Sequence, residues 1–325
     1  MVIPLCLLGA ISLASAQTAP ANPPATVGKP SPAAVDPARV ASLLETGRCP
    51  EALPQIRKAY AHAVDKDLKR RLGAGGVRCA MSLDQTSAAV DFIQMLNRDF
   101  PKDPEVLYLT VHTYSDLSLR ASQALLFTHP GAYQVHELNA ESLEAQEKWD
   151  QAAEEYRVVL EQNPALPGIH YRLGRAILSK PETAATRAEA KKEFEEELRN
   201  NPSNAGAEFV LAELARQAEN YPEAIERFTR ATKFDVRFAD AFIGLGRSLL
   251  AAERASEAVS ALEEATRLQP DNPTAHFLLA NAYRRAGRQA DADREAEAHR
   301  AASEKARQTT DDLKKAVTGT AGKAQ

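Results

Sequence analysis

The pentapeptide that begins at His136 comes closest to a catalytic motif. It reads His-Glu-Leu-Asn-Ala, and its first two residues match the start of the zinc-protease helix. In that helix two histidines four residues apart bind zinc and the glutamate is the general base. Ala140 stands where the second histidine is required. Half of the ligand pair is missing, so the segment predicts no metal site.

Other catalytic patterns are also incomplete. The run Gly73-Ala74-Gly75-Gly76 lacks the Gly-Lys-Ser/Thr of a phosphate loop, and no Gly-x-Ser-x-Gly elbow occurs. We therefore expect a protein that is not an enzyme and needs no cofactor. One catalytic alternative stays open, an envelope-associated hydrolase whose site is assembled across several helices. Its residues would be His112, His136, Glu137 and Glu141.

A period of 34 residues organises the chain from Ala205 onward. Leu211, Leu245 and Leu279 share one column, and small residues fill others. A fixed period of this length marks a solenoid. Apolar residues recur at three- and four-residue steps, which predicts two helices in each unit. The small-residue columns, where paired helices must approach closely, are Ala212, Gly246 and Ala280 on the first helix and Ala224, Ala258 and Ala292 on the second.

Capping residues predict where several helices begin. Asp36, Asp103 and Asn272 each precede a proline, and a capping side chain followed by proline is typical of a helix N-terminus. These dipeptides predict helices that start at Pro37, Pro104 and Pro273.

The columns resemble the tetratricopeptide repeat family. That family places an aromatic residue, Leu-Gly/Ala and Tyr on the first helix, and Ala, an aromatic residue, Ala and Pro on the second. The matching residues are Phe242, Leu245, Gly246, Ala258, Leu262, Ala265 and Pro270 in one unit and Leu279, Ala280, Tyr283 and Ala292 in the next. The resemblance reaches back to residue 133, with about four residues inserted near Lys180–Thr186, and weakens before it. It implies an all-α fold, a right-handed superhelical solenoid of antiparallel helix pairs.

The predicted domain boundaries follow from these patterns. Residues 1–16 are expected to be an export signal, because the apolar run Val2–Leu13 precedes Ala14-Ser15-Ala16, although no Lys or Arg stands before the run. A frayed or buried helix is the alternative. Export implies a periplasmic or secreted location. The remaining predicted segments are a disordered Pro/Ala-rich linker (17–35), divergent helical hairpins (36–132), tetratricopeptide repeats (133–166, 167–204, 205–238, 239–272 and 273–306, within 133–308) and a disordered polar tail (309–325).

Cys49 and Cys79 are candidates for a disulfide in an exported protein. Cys49 lies at the start of a second helix, and Cys79 lies late in the following first helix. Antiparallel neighbours bring such positions close together. The bridge would close a loop of about 30 residues and contribute ~3 kcal/mol of stability. Two separate buried thiols are the alternative.

Charge and hydropathy argue against nucleic-acid binding and against a membrane-spanning segment. The chain has 40 basic and 44 acidic residues without a basic stripe, which argues against nucleic acid. The N-terminal apolar run is too short to span a bilayer. The histidines His136, His170 and His276 share a repeat column, so packing is their simplest role. We expect a protein or peptide partner, and the sequence does not fix the oligomeric state.

The resemblance implies that first helices line a concave groove, into which residues four apart project. An apolar or aromatic row would run beside a polar row of alternating charge and hold a peptide between them. Three alternatives stay open: the charges pair with each other, Tyr171 and Phe209 fill the core edge, or the protein is structural and self-associates through open repeat ends. The groove pairs are Tyr108 with His112, Glu137 with Glu141, Tyr171 with Arg175, Phe209 with Glu213, Ile243 with Arg247, and Phe277 with Asn281.

Overall fold

The computed structural model of the chain describes residues 35–181 and 183–321, in which fifteen α-helices and no strand occur. The predicted signal (1–16) and all but the last residue of the predicted linker lie outside the described residues. The helices are α1 Pro37–Glu45, α2 Cys49–His62, α3 Lys66–Ser82, α4 Thr86–Asp99, α5 Pro104–Thr128, α6 Tyr133–Ala145, α7 Trp149–Gln162, α8 Ile169–Leu178, α9 Ala184–Asn200, α10 Ala205–Gln217, α11 Tyr221–Phe234, α12 Ala239–Ala251, α13 Ala255–Leu268, α14 Pro273–Arg285 and α15 Gln289–Ala321.

The helix starts follow from local chemistry. The carboxylate of Asp36 accepts a hydrogen bond from the backbone N–H of Ala38, and the side chain of Asn272 caps α14 in the same way. Asp103 accepts from the backbone N–H groups of Glu105 and Val106. These side chains satisfy donors that have no partner inside the helix. The predicted starts at the three prolines are therefore confirmed.

Four of the turns inside the hairpins of residues 133–306 share one backbone conformation. Glu147, Glu219, Glu253 and Gly287 have positive φ angles of 57°, 57°, 61° and 75°, and they stand in the same repeat column. A left-handed residue after a helix reverses the chain within a few residues. Glycine adopts this conformation freely, whereas glutamate does so at a cost. The same turn thus recurs whether or not the sequence favours it.

The chain divides into two compact units, the first ending at Leu119 and the second beginning at Arg120. In unit 1, α1 pairs with α2 and α3 pairs with α4. The glycines of α3 allow close packing, because a Cβ atom on Gly73 would lie 2.6 Å from Leu96 and one on Gly76 would lie 2.9 Å from Phe92. A disulfide joins Cys49 to Cys79, with their Cα atoms 5.0 Å apart. This is the predicted pair.

After the end of α5, unit 2 contains five helical hairpins, from α6 with α7 to α14 with α15. The first helices α10, α12 and α14 contact one another in series, whereas successive second helices do not pack in this way. The first helices of the last three hairpins therefore lie on the inner side of this part of the array. Its joints depend on small residues: a Cβ atom on Gly246 would lie 2.4 Å from Leu262, and Ala224 and Ala258 are fully buried.

Two segments differ from the sequence prediction. The region predicted as divergent hairpins (36–132) ends in α5, a single helix of 25 residues without a second helix to pair with. The predicted disordered tail (309–325) is helical as far as Ala321. Alanine-rich composition and ion pairs one turn apart, such as Arg307 with Glu304, favour this continuation. Over residues 35–181 and 183–321, no helix combines the length and apolar character needed to cross a membrane.

Candidate partner-binding surface

The aromatic row of the predicted groove takes part in packing. The Tyr171 ring meets Phe194 edge-on at 5.6 Å, and the Phe209 ring lies 4.8 Å from Phe238 and 5.8 Å from Phe228. Ile243 is only 7% exposed. These side chains join each first helix to its own second helix and to the start of the next repeat. The core-edge alternative thus describes them better than an open row of anchors.

Within unit 2, Phe277 is the exception in this row because it belongs to the last repeat. It is 55% exposed, and its ring lies 5.6 Å from that of His299. In the third repeat, Phe238, which immediately precedes α12, covers the equivalent Phe209. No further repeat follows α15 among the described residues, so Phe277 remains exposed beside the half-buried Asn281.

The first predicted pair, Tyr108 with His112, lies on α5 in unit 1. Both side chains are exposed, and their rings are 4.2 Å apart. The other predicted surface residues all belong to unit 2.

The acidic and basic side chains of the polar row do not pair with one another. Glu141 pairs with Arg172 at 2.5 Å, and Glu213 pairs with Arg216 on its own helix at 2.7 Å. Neither acid bonds to the arginines of the row. Among the described residues, Arg175 and Arg247 form no ion pair, and Arg175 instead lies over the Tyr171 ring at 5.9 Å. Glu137, at the start of the row, likewise has no ion-pair partner within the described part of the chain.

The histidine column forms links within the hairpins. His136, His170 and His276 each contact a glutamate of their second helix through Nδ1, at 2.6 to 2.7 Å. The Glu193 carboxylate, as hydrogen-bond acceptor, raises the pKa of His170 above its usual value, although burial opposes this. The third repeat reverses the charges, since Glu208 stands in this column and contacts Arg227 at 3.4 Å. The residues of this column therefore join the two helices of a hairpin.

The hydrolase alternative gains no support from this geometry. His136 bonds to Glu155, not to Glu137 or Glu141. His112 belongs to unit 1, whereas the other three residues belong to unit 2. No group of three or more His, Cys, Asp or Glu side chains that could hold a metal occurs in the described ranges.

Sequence reasoning missed a buried carboxylate at Glu197. Its side chain accepts hydrogen bonds from the backbone N–H of Gly168, at 2.9 and 3.1 Å, and from the amide of Asn204 at 2.9 Å. It is fully buried and stabilises the start of α8, where backbone donors and the helix dipole favour an anion. The signal was available, because the same column holds Ala231 and Ala265 in the next two repeats.

Fold and surface together define a helical-repeat solenoid. A sequence profile described as a tetratricopeptide repeat matches residues 116–185, 186–236 and 243–306, which is more than half of the chain. The protein belongs to the tetratricopeptide repeat family. The family prediction and the all-α fold of antiparallel helix pairs are thereby confirmed. No curated protein sequence matches the chain.

Comparison with solved structures gives several partial matches. A crystal structure of MamA has a TM-score of 0.47 and 18% identity, and the alignment covers 53% of this chain and 92% of that one. YrrB, titled a tetratricopeptide repeat protein with an unusual peptide-binding site, has a TM-score of 0.48 and 19% identity over 56% of this chain and 92% of that one. MamA from Desulfovibrio magneticus RS-1 has a TM-score of 0.47 and 14% identity, with 53% and 96% covered.

Proposed function

We propose that unit 2 is a non-catalytic scaffold that binds an extended acidic segment of a partner protein along its inner face. Membership of the repeat family supports the coarser role in protein interaction, since stacked repeats present a long concave surface. The observation that carries the finer proposal is the pair of arginines, Arg175 and Arg247, that lack ion-pair partners among the described residues.

Both arginines suit a carboxylate partner. They occupy the same repeat column on α8 and α12, two repeats apart, so a segment that reaches both must be extended. A guanidinium group binds carboxylates through two parallel hydrogen bonds. The contact with Tyr171 holds Arg175 in place before binding.

The acids of the same face do not oppose an acidic segment. Arg172 neutralises Glu141, and Arg216 neutralises Glu213. Repulsion is therefore confined to Glu137 at the beginning of the row. This predicts that the most acidic part of the bound segment lies between the second and fourth repeats of unit 2.

The test begins with peptides selected for binding from a random library, followed by anisotropy titrations of the labelled peptides. We expect acidic sequences to be enriched, and Arg175→Glu and Arg247→Glu each to weaken binding at least tenfold without a change in melting temperature. Arg267→Glu is the matched control, because it makes the same charge change on the second helix α13. Enrichment of basic peptides, or equal losses in all three variants, would contradict the proposal.

We also infer that the protein is exported. The Cys49–Cys79 bridge supports this, because disulfides persist mainly in oxidising compartments. Fractionation of the source cells, with thiol labelling of each fraction before and after reduction, tests it. Protein found in the cytoplasm with both thiols reactive would contradict export.

A further inference from the structure

Helix α5 is half of a helical hairpin. After it, residues 129–132 lead directly to α6, which pairs with α7. On its buried side α5 packs on the preceding helix α4 within unit 1. Val106 belongs to the core of that unit, and the hydroxyl of Thr110 lies 3.2 Å from the side-chain oxygen of Asn97 on α4. The side on which a second helix would pack is left open.

The repeat columns identify this open side. Leu107 stands in the histidine column, Val111 in the small-residue column and Tyr114 in the column that ends at Tyr283. In the hairpins of unit 2, the first two columns face the second helix of the same repeat. Val111 is 63% exposed and Tyr114 is 45% exposed. By contrast, the small-residue column is buried throughout unit 2, at Ala140, Gly174, Ala212, Gly246 and Ala280.

The exposed face of α5 carries no charge. Positions three, four and seven residues from Val111 share its side of a helix. These positions are Pro104, Leu107, Tyr108, Tyr114, Ser115 and Ser118. The three charged residues of the helix, Glu105, Asp116 and Arg120, lie on the other half of its circumference.

The face is also large for a surface that water covers. Its large apolar side chains, each about half exposed, are Leu107, Tyr108, Val111, Tyr114 and, at its edge, Leu119. Together they expose roughly 500 Å², at the upper end of the range for the largest apolar patch of a monomer. Patches of this size mark interaction surfaces.

A second helix of the family type does not fit against Val111. In the other hairpins a small residue lets the second helix approach, and a Cβ atom on Gly246 would already lie 2.4 Å from Leu262. Valine carries two methyl groups beyond its Cβ atom. The helix that covers this face must therefore lie further away, with the small Ser115 leaving room for its side chains.

We propose that this face pairs with the same face of a second copy of the chain. The two α5 helices would run antiparallel about a two-fold axis midway between Leu107 and Leu119, so that each receives the helix that its hairpin lacks. A two-fold axis places residues near it opposite their own copies, where any charge would meet its like. The absence of charge on this face suits such pairing.

The area of the face sets the expected strength of the dimer. Pairing would remove roughly 1,000 Å² from water, which is close to the minimum for a specific interface. We therefore expect a reversible dimer rather than a permanent one. A membrane surface suits the face less well, because helices that lie on membranes are rich in lysine and arginine, whereas α5 has no lysine and one arginine.

Sedimentation of the full chain, from about 1 to about 200 µM, tests the proposal. We expect dimerisation to weaken at least tenfold in Val111→Glu and in Val111→Lys, with the melting temperature of the dilute monomer unchanged. An equimolar mixture of these two variants should dimerise again, because opposite charges then meet near the axis. Val64→Glu is the matched control, since it makes the same change at another exposed valine of unit 1 and should leave the dimer intact.

Four results would overturn the proposal. They are a monomer at every concentration, equal dimerisation by wild type and Val111→Glu, a mixture of the two charge variants that stays monomeric, and retention on phosphatidylglycerol vesicles of a chain that does not dimerise. Phe277→Glu tests the end of unit 2 in the same way. A dimer that this variant abolishes while Val111→Glu retains it would place the interface there and contradict pairing through α5.

Discussion

The two units of the molecule hold their helices together by different means. In unit 2 the same columns recur, with a glycine such as Gly174 or Gly246, or an alanine, where paired helices approach closely, and with a histidine–glutamate link across three of the hairpins. Unit 1 keeps the helical hairpins without the regular columns. It relies on a glycine-rich α3 and on the disulfide from Cys49 to Cys79.

Comparison of the two units shows how repeated packing contributes to stability. Where every joint repeats, each hairpin is stabilised by equivalent contacts on both sides, and no single link is essential. Where the repeats have diverged, a covalent bond constrains the unfolded chain and replaces part of the missing packing. The following predictions test this comparison, beginning with the largest expected effect.

Removal of the disulfide should affect unit 1 alone. The double variant Cys49→Ala with Cys79→Ala is expected to lower the free energy of unfolding of unit 1 by about 3 kcal/mol, because the unfolded chain regains the freedom of the loop. Hydrogen exchange followed by mass spectrometry measures each unit separately. Reduction of the wild type is the matched control and should give the same loss. Equal loss of protection in α10 to α13 would contradict the prediction that the disulfide stabilises unit 1 alone.

Loss of the Glu197 carboxylate should have the next largest effect, at a single joint of unit 2. Glu197→Ala leaves the backbone N–H of Gly168 without its partner and is expected to cost about 2 kcal/mol. Chemical denaturation measures it. Glu197→Gln keeps an acceptor oxygen and should lose less. If Glu197→Ala is as stable as wild type, the carboxylate does not stabilise this joint and the prediction is wrong.

The His170–Glu193 link should make the second hairpin sensitive to pH. Because the folded pKa of His170 is raised, its stabilisation is complete below the unfolded value near 6.5 and disappears as pH rises through the folded value. His170→Phe, which mimics Phe242 of the same column, should therefore be less stable than wild type by about 1 kcal/mol at pH 5.5 and should lose this deficit at alkaline pH. Melting curves across pH measure the difference. A deficit independent of pH would assign the effect to packing.

The smallest effect concerns the turn at Glu219. Its φ of 57° costs a glutamate conformational energy, so Glu219→Gly is expected to raise stability by up to about 1 kcal/mol. Thermal melting monitored by circular dichroism measures the change. Glu226→Gly, in the interior of α11, is the matched control and should lower stability by a similar amount. If both variants raise stability, or both lower it, the positive φ of Glu219 does not explain the effect.

The sequence predicts much of the fold because its period is local. The 34-residue columns predict two helices in each unit from Ala205 onward, and the capping dipeptides give the first residues of α1, α5 and α14. The exposure of Tyr171, Phe209 and Ile243 cannot be predicted in the same way. It depends on which neighbouring helix packs over each side chain. Among the apolar and aromatic members of the row in unit 2, only Phe277, in the last repeat, is left exposed.

The extent of α5 and α15 is also hard to predict from sequence alone. Periodicity indicates a helix at Pro104, but only the packing shows that no second helix joins it. In α15 the polar composition suggests fraying, whereas helix propensity and ion pairs within the helix favour continuation to Ala321. Glu197 stands out in its column, but its hydrogen-bond partners Gly168 and Asn204 lie just before two other helices, α8 and α10, and the column does not indicate them.

Hydrogen exchange with a selected acidic peptide tests the central claim, that the inner face of unit 2 receives a partner. We expect peptide binding to increase protection in the first helices α8, α10 and α12, with α11 and α13 unchanged and the effect lost in Arg247→Glu. Protection confined to the second helices, or the same protection in Arg247→Glu as in wild type, would contradict it.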